Sequence, residues 1–279
     1  MPVTFLGLDG FLPIAHRGGG AEAPENSLSA FRRAAALGYQ VLETDARATS
    51  DGVLVAHHDA RLDRTTDRQG LIRRQPWSSV RLARVGEDPI SRLADLLEEF
   101  PSSRFNVDVK ESAAIAPLVE LIRSTRSQHR ICVTSFSARR LNAVRSALGE
   151  GLVTALSPPE VLGLASVARG RRLLAHLAGR GSCVQVPERL GPAVLTDGRL
   201  VDAAHRLGLP VHVWTVNSAE VMRRLLELGV DGIMTDEITL LLSVIGDLPG
   251  NTSAEDRVPE PGVRDHARHD DGLQPHDCP

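Results

Sequence analysis

Residues 14–66 read IAHRGGGAEAPENSLSAFRRAAALGYQVLETDARATSDGVLVAHHDARLDRTT, and the order of patterns in that stretch decides the fold. The apolar run Leu12–His16 ends at Arg17 and three glycines, as a buried strand does on entering a tight loop. Leu28, Phe31, Ala34 and Ala35 then recur at helical spacing over Ser27–Leu37, with Asn26 placed as N-cap and Gly38 as stop. Tyr39–Ala46 is the next strand, and strand, helix, strand begins a parallel sheet. The turn signal Thr49-Ser50-Asp51-Gly52 and the strand-like Val53–Ala56 follow too soon for a parallel crossover, so they predict an antiparallel hairpin arm. Folding back, the arm brings His57 and His58 level with Glu43 and Asp45, two acids that share one face of their strand.

Outward from there, residues 67–90 lack periodicity and read as a loop-rich excursion. Ser91–Phe100 is an amphipathic helix ended by Pro101, and RFNVDVK (104–110) alternates, with Asn106, Asp108 and Lys110 on one face. Strand signals recur near 130–134, 152–156, 182–186, 211–215 and 232–235. Helical signals lie between and after them at 114–124, 137–148, 197–207, 218–228 and 237–246, and 157–181 has room for two helices. With 12–16, 40–46 and 104–109 these make eight strands, which predicts a (β/α)8 TIM barrel over residues 11–247, with the hairpin arm near its active site. From residue 248 to 279 the chain is rich in Pro, Gly, His and acids without apolar periodicity, and a disordered tail is expected.

The net charge of −3 offers no electrostatic footprint for nucleic acid. Cys132, Cys183 and Cys278 are odd in number and lack metal-type spacing, as in a chain kept reduced. The N-terminal residues show no signal-peptide pattern and no apolar run reaches the ~20 residues of a membrane span, so a soluble, cytoplasmic protein is expected. Lys110 is the only lysine among 32 basic residues.

Working groups of such barrels gather at the C-terminal ends of the strands. His16, the pair Glu43 and Asp45, and the pair Asp108 and Lys110 fall near three such ends, and the arm adds His58. Two imidazoles suit general acid and base work near neutrality. Three carboxylates without cysteine favour a divalent cation, Mg2+ or Ca2+, over zinc, and Arg17 and Lys110 suit an anionic group. The set suggests displacement at a phosphodiester. His57 competes with His58, and the pairing with Asp59 favours His58. Glu25 is open to ligating the cation, orienting Arg17 or capping the helix, with support of the site favoured. Trp214 is open to a core or a substrate role.

At these residues the chain resembles the glycerophosphodiester phosphodiesterase family, through HRGGGAEAPENSLSAF, VLETDARATSDGVLVAHHDARLDRTT, NVDVK, TSF (134–136), CVQVPERLG and VHVWTVNSAE…LGVDGIMTD, in order across about 14–236. The resemblance implies a TIM barrel and divalent-cation-dependent cleavage of a glycerophosphodiester to an alcohol and sn-glycerol 3-phosphate. It implies His16 and His58 as the acid/base pair and Glu43 and Asp45 as cation ligands. Arg17 and Lys110 would hold phosphate, and Trp214 would pack on glycerol. Asp108 stands where the family usually carries a third cation-binding Glu. Two other readings stay open: a lipid-active, lysophospholipase-D-like relative making peripheral lipid contact, and a barrel that binds phosphate esters without turnover. The headgroup, the preferred ion, and direct water attack versus a cyclic phosphate are not legible in the residues.

Overall fold

The computed structural model describes residues 5–170 and 181–247. Eight parallel strands follow one another in chain order: β1 (Leu12–Ala15), β2 (Val41–Ala48), β4 (Arg104–Val109), β5 (Ile131–Thr134), β6 (Val153–Thr154), β7 (Val184–Pro187), β8 (Val211–Trp214) and β9 (Gly232–Thr235). Strand β3 (Leu54–Ala56) is the expected arm, antiparallel to β2 with Ala46 opposite Ala56. The sheet curls, β9 pairing with β1, until its two ends meet at a parallel bridge between Ala155 and Cys183. There Leu156 N–H donates to Cys183 O at 2.8 Å, and Ser182 N–H donates to Thr154 O at 2.7 Å.

Among the described residues eight helices longer than one turn cover the outside: α1 (Leu28–Ala36), α2 (Leu93–Glu99), α3 (Ile115–Thr125), α4 (Ala138–Leu148), α5 (Pro158–Ala168), α6 (Gly198–Arg206), α7 (Ala219–Glu227) and α8 (Ile238–Gly246). The period-two alternation sorts each strand between two environments. Leu42, Phe105, Val107, Val109, Ile131 and Val133 pack outward against the helices, while Ile14, Val41, Cys132, Ala155, Cys183 and Met234 meet inside. The polar residues Glu43, Asp45, Asn106 and Asp108 share strand parity with the inner group and are buried, which is why a polar face could survive on central strands.

Two expectations need amendment. The α1 N-cap is Ser27, whose side chain accepts from Ala30 N–H, not Asn26. Asn26 takes a left-handed φ of 59° and sends its amide to β2 instead. The 67–90 excursion folds into a small body of its own, with 3-10 and α turns at Ile72–Arg74 and Trp77–Val80. Its Ile72, Val80, Ala83, Val85 and Ile90 pack with Val55 and Leu62, and irregular spacing hid a core with no helical or strand period. Between 157 and 170 there is one helix, α5; 171–180, where a second was allowed for, and the 248–279 tail lie outside the described residues. Among the described residues no helix is long and apolar enough to cross a membrane.

Below the polar layer, His212 on β8 is fully buried against Phe5, its Nε2 without a hydrogen-bond partner. Burial pushes its pKa down to about 4 despite Asp231. Because the unfolded chain then binds the extra proton first, His212 contributes stability that is intact above about pH 6.5 and lost as pH falls toward 4. Relative to His212→Gln, the wild-type protein should lose on the order of 3 kcal/mol between pH 7 and 4, measured by denaturant unfolding at both values.

Candidate active site

The loop after β1 is shaped by contacts that leave no room for side chains. A Cβ on Gly18 would lie 2.9 Å from the Ala30 Cβ of α1, and one on Gly19 would lie 2.8 Å from Ile238 of α8. Both glycines have positive φ, and Arg17 itself is left-handed at φ 51°. This turn aims Arg17 N–H at Glu43 Oε2, 2.9 Å away, and swings the guanidinium across the strand ends, with Nε 3.2 Å from Asp45 Oδ2.

His16 and His58 are held in the same way. Nδ1 of His16 lies 2.6 Å from Asp236 Oδ1, and Nδ1 of His58 lies 2.7 Å from Asp59 Oδ1. In each ring Nδ1 is engaged by a carboxylate and Nε2 is left for the cavity, which both residues line. His16 Nε2 also lies 3.8 Å from Glu43 Oε2. Burial depresses the His16 pKa, but the facing Glu43 and Asp236 outweigh it and raise it above the ordinary value. His57, by contrast, is turned away: its Nε2 lies 3.0 Å from Arg61 O, it does not line the cavity, and burial lowers its pKa. The phasing that separates the two histidines comes from the arm, where His57 N–H donates to Asp45 O at 2.9 Å.

The three carboxylates crowd one another. Register sets Glu43 beside Asn106 and Asp45 beside Asp108 on β2 and β4. Burial, then the neighbouring Asp45, pushes Glu43 up to about 7, and burial raises Asp108. Asp45 stays low because Lys110 and Arg17 outweigh its burial, with help from the Asn26 amide, which donates to Oδ2 at 2.8 Å. Lys110 Nζ stands between Asp45 Oδ1 and Asp108 Oδ2, at 2.8 and 2.6 Å. Asp108 Oδ1 is a buried acceptor lacking a donor, and Asp45 Oδ1 has the Lys110 ammonium alone. The orphaned Asp108 oxygen and a raised Glu43 suit a hard divalent cation, which would hold all three acids ionised. Among the described residues, no group of three or more His, Cys, Asp or Glu side chains is already arranged as a metal cage.

Of the other expected residues, Glu25 joins Arg17 at 3.1 Å and Arg64 at 2.6 Å, and Arg64 in turn binds Asp59 at 2.7 Å. A continuous chain, Arg17–Glu25–Arg64–Asp59–His58, therefore ties the glycine turn to the arm. Trp214 lines the cavity and meets Phe136 edge-on, ring centroids 5.4 Å apart. Sequence reasoning passed over Asn26, Arg64, Phe136 and the pair Asp236 and Asn217. Asn217 Nδ2 donates to Asp236 Oδ2 at 2.9 Å, and Asn217 Oδ1 accepts from Asp236 N–H at 3.0 Å, fixing the carboxylate that holds His16. Asp236→Asn should cut kcat by about ten- to a hundredfold. Its pH–rate profile should move acidward, since the imidazolium loses a counter-charge; an unmoved profile would make Asp236 a scaffold residue only.

A curled parallel sheet carrying two carboxylate-anchored histidines, three buried acids and two cations near its C-terminal strand ends, in an α/β protein, has the groups that phosphoryl chemistry uses. Comparison with known proteins narrows the class. Residues 16–240 match the model of the glycerophosphoryl diester phosphodiesterase family, and the chain belongs to that family. It is 38% identical over 253 residues to the "Probable glycerophosphodiester phosphodiesterase 2" of Mycobacterium tuberculosis, covering 87% of this chain and 94% of the relative. A glycerophosphodiester phosphodiesterase of Caldanaerobacter subterraneus is 28% identical, covering 84% of this chain and 97% of the relative. Among solved structures, a phosphodiesterase of Oleispira antarctica in complex with its product sn-glycerol-3-phosphate superposes with a TM-score of 0.70 at 23% identity, covering 85% of this chain and 97% of its own.

Proposed function

We propose that this protein hydrolyses glycerophosphodiesters to an alcohol and sn-glycerol 3-phosphate, with His16 and His58 exchanging the protons. The observation that carries the reading is the matched anchoring of the two imidazoles by Asp236 and Asp59, which leaves both Nε2 atoms to one cavity beside three buried carboxylates. One Nε2 takes the proton of the attacking hydroxyl while the other gives a proton to the departing alcohol oxygen. Arg17 and Lys110 hold the phosphate oxygens, and Trp214 packs on the glycerol end. Glu43, Asp45 and Asp108 are the residues that would hold a divalent cation. Such an ion, Mg2+ or Ca2+, would supply charge neutralisation at the phosphate. Asp108 is a methylene shorter than the family's usual Glu, and its free Oδ1 keeps it a ligand on this reading. We take the curled sheet, joined at Ala155 and Cys183, as a closed (β/α)8 barrel forming one domain over 11–247.

The family's activity in the relatives' names and the product-bound Oleispira structure support the reaction class. Purified protein should release choline from glycerophosphocholine in the presence of a divalent cation and leave glycerol 3-phosphate, a monoester, intact. Cleavage of the monoester with the diester untouched would overturn the assignment.

Lys110 allows a narrower test. Its ammonium fits a gap bounded by two carboxylate oxygens, 2.8 and 2.6 Å away, where a broad planar guanidinium would displace them. Lys110→Arg should fold normally yet lower kcat/KM about tenfold or more, and Lys110→Met should be worse. Near-wild-type kinetics in both would remove Lys110 from the site.

A further inference from the structure

The two histidines are anchored alike at Nδ1, but unlike partners fix their carboxylates. Asp236 is held by the neutral amide of Asn217. Asp59 is held by Arg64, whose Nε donates to Oδ2 at 2.7 Å and whose NH2 group donates to Oδ1 at 3.2 Å. Among the described residues, Arg64 and His58 are the only side chains that hydrogen-bond it. The far edge of the same guanidinium donates to Glu25, at 3.0 Å to Oε2 and 2.6 Å to Oε1. That Oε1 is also the oxygen that holds Arg17. One planar group thus serves two carboxylates at once, which an ammonium cannot do in fixed directions.

Arg64 projects from a firm base. Leu62 is fully buried in the small core of the excursion, and its N–H donates to Gly70 O at 3.0 Å. Its carbonyl accepts from Thr66 N–H at 3.1 Å and from Thr66 Oγ1 at 2.9 Å. The backbone beside His58 is fixed separately: Arg47 Nε donates to the His58 carbonyl at 2.8 Å, and His57 N–H donates to Asp45 O. Neither contact involves the imidazole, so Arg64 adds the orientation of Asp59, and hence of the ring, to an arm whose course is already set. Its hydrogen bonds hold Asp59 below the ordinary carboxylate range, so the anchor stays ionised wherever histidine titrates. The Arg64 side chain is 51% exposed, and ion pairs so open to water contribute little to stability.

We propose that Arg64 is a positioning residue that aims His58 through Asp59 and Arg17 through Glu25, holding the proton-transferring and phosphate-holding groups at one fixed spacing. The proposal rests on the phosphodiesterase reading for the roles of His58 and Arg17, and adds the residue that sets them against each other.

In the full chain, Arg64→Met should lower kcat on glycerophosphocholine about ten- to a hundredfold and raise KM about threefold or more, as misplaced groups do. Its melting midpoint should stay within about 4 °C of wild type. Two backgrounds separate the two routes. In Asp59→Ala, adding Arg64→Met should change kcat by less than about twofold and still raise KM. In Glu25→Ala, it should still lower kcat and change KM by less than about twofold. Losses that multiply through both backgrounds, or a midpoint lowered well beyond that range, would make Arg64 a scaffold residue and overturn the proposal. Arg64→Lys keeps the charge without the fork, and its kcat should remain about fivefold or more below wild type. Wild-type kinetics in that variant would show that charge alone suffices and would also overturn it.

A readout without turnover keeps the positioning apart from the reaction. A carboxylate only accepts, so Asp59 keeps the proton of the neutral His58 ring on Nδ1 and leaves Nε2 bare. Nitrogen NMR of that ring at about pH 8.5, two units above the ordinary histidine value, should show this single tautomer in wild type. In Arg64→Met the two nitrogen shifts should move toward each other as the tautomers mix. Identical shifts in both proteins would overturn the proposal. Mixing in the variant, with no diester cleaved by the wild type, would support the positioning and sink the phosphodiesterase reading.

Discussion

His58→Ala and His16→Ala should each lower kcat on glycerophosphocholine by about 10²- to 10⁴-fold, the range that positioned general acid/base catalysis supplies. His57→Ala should change it only a few-fold. The contrast is informative because the two arm histidines are adjacent in sequence and differ only in facing. His58 is engaged at Nδ1 by Asp59 and lines the cavity, whereas His57 is 2% exposed and meets Arg61 O through Nε2. His57→Ala should instead lower the unfolding midpoint, since it leaves a cavity and loses the contact with Arg61 O. Steady-state kinetics with circular dichroism melts on the three variants separate the roles. A severe kcat loss in His57→Ala alongside a mild one in His58→Ala would reverse the assignment.

The second large effect is expected at Glu43. Glu43→Gln should reduce turnover by about 10³-fold, the several kcal/mol of charge stabilisation that a bound cation supplies, and chelation should do the same to the wild type. Stability should move the other way. Glu43 is pushed up to about 7 by burial and by Asp45, above the ordinary carboxylate value of about 4.3. A carboxyl raised in the folded state favours folding at low pH, and that contribution is lost as pH climbs from about 4.3 through 7. In chelator at pH 8, Glu43→Gln should therefore melt higher than wild type, and the difference should vanish below pH 4. Added Mg2+ or Ca2+ should raise the wild-type midpoint and leave the variant's unmoved. Equal ion-induced shifts in both proteins would take Glu43 out of the cation site.

Much of this was legible because alternation on strands is a local property. RFNVDVK placed Asn106, Asp108 and Lys110 on one face before any partner strand was known, and the turn at Thr49–Gly52 set the direction of the arm and hence the meeting of His58 with β2. What escaped was supplied from a distance or by residues whose type misdirects. Asp236 reaches His16 across 220 residues of sequence, and no local pattern links them. Arg64 stands in an exposed loop, where a single arginine reads as solvated charge, yet it joins Glu25 to Asp59. Asn26 has the side chain of a helix cap and precedes a helix, but the better cap, Ser27, is next to it. The freed amide bridges β2, donating to Asp45 and accepting from Thr44 Oγ1 at 2.8 Å.

On the proposed function, a phosphodiester is cleaved between His16 and His58. Phosphorus NMR of glycerophosphocholine incubated with purified protein and a divalent cation tests it most directly. The diester resonance should decay into that of glycerol 3-phosphate with wild-type protein, and it should persist unchanged with a folded His16→Ala, His58→Ala double variant. A diester stable to the wild type, or one consumed equally fast by the double variant, would contradict the account.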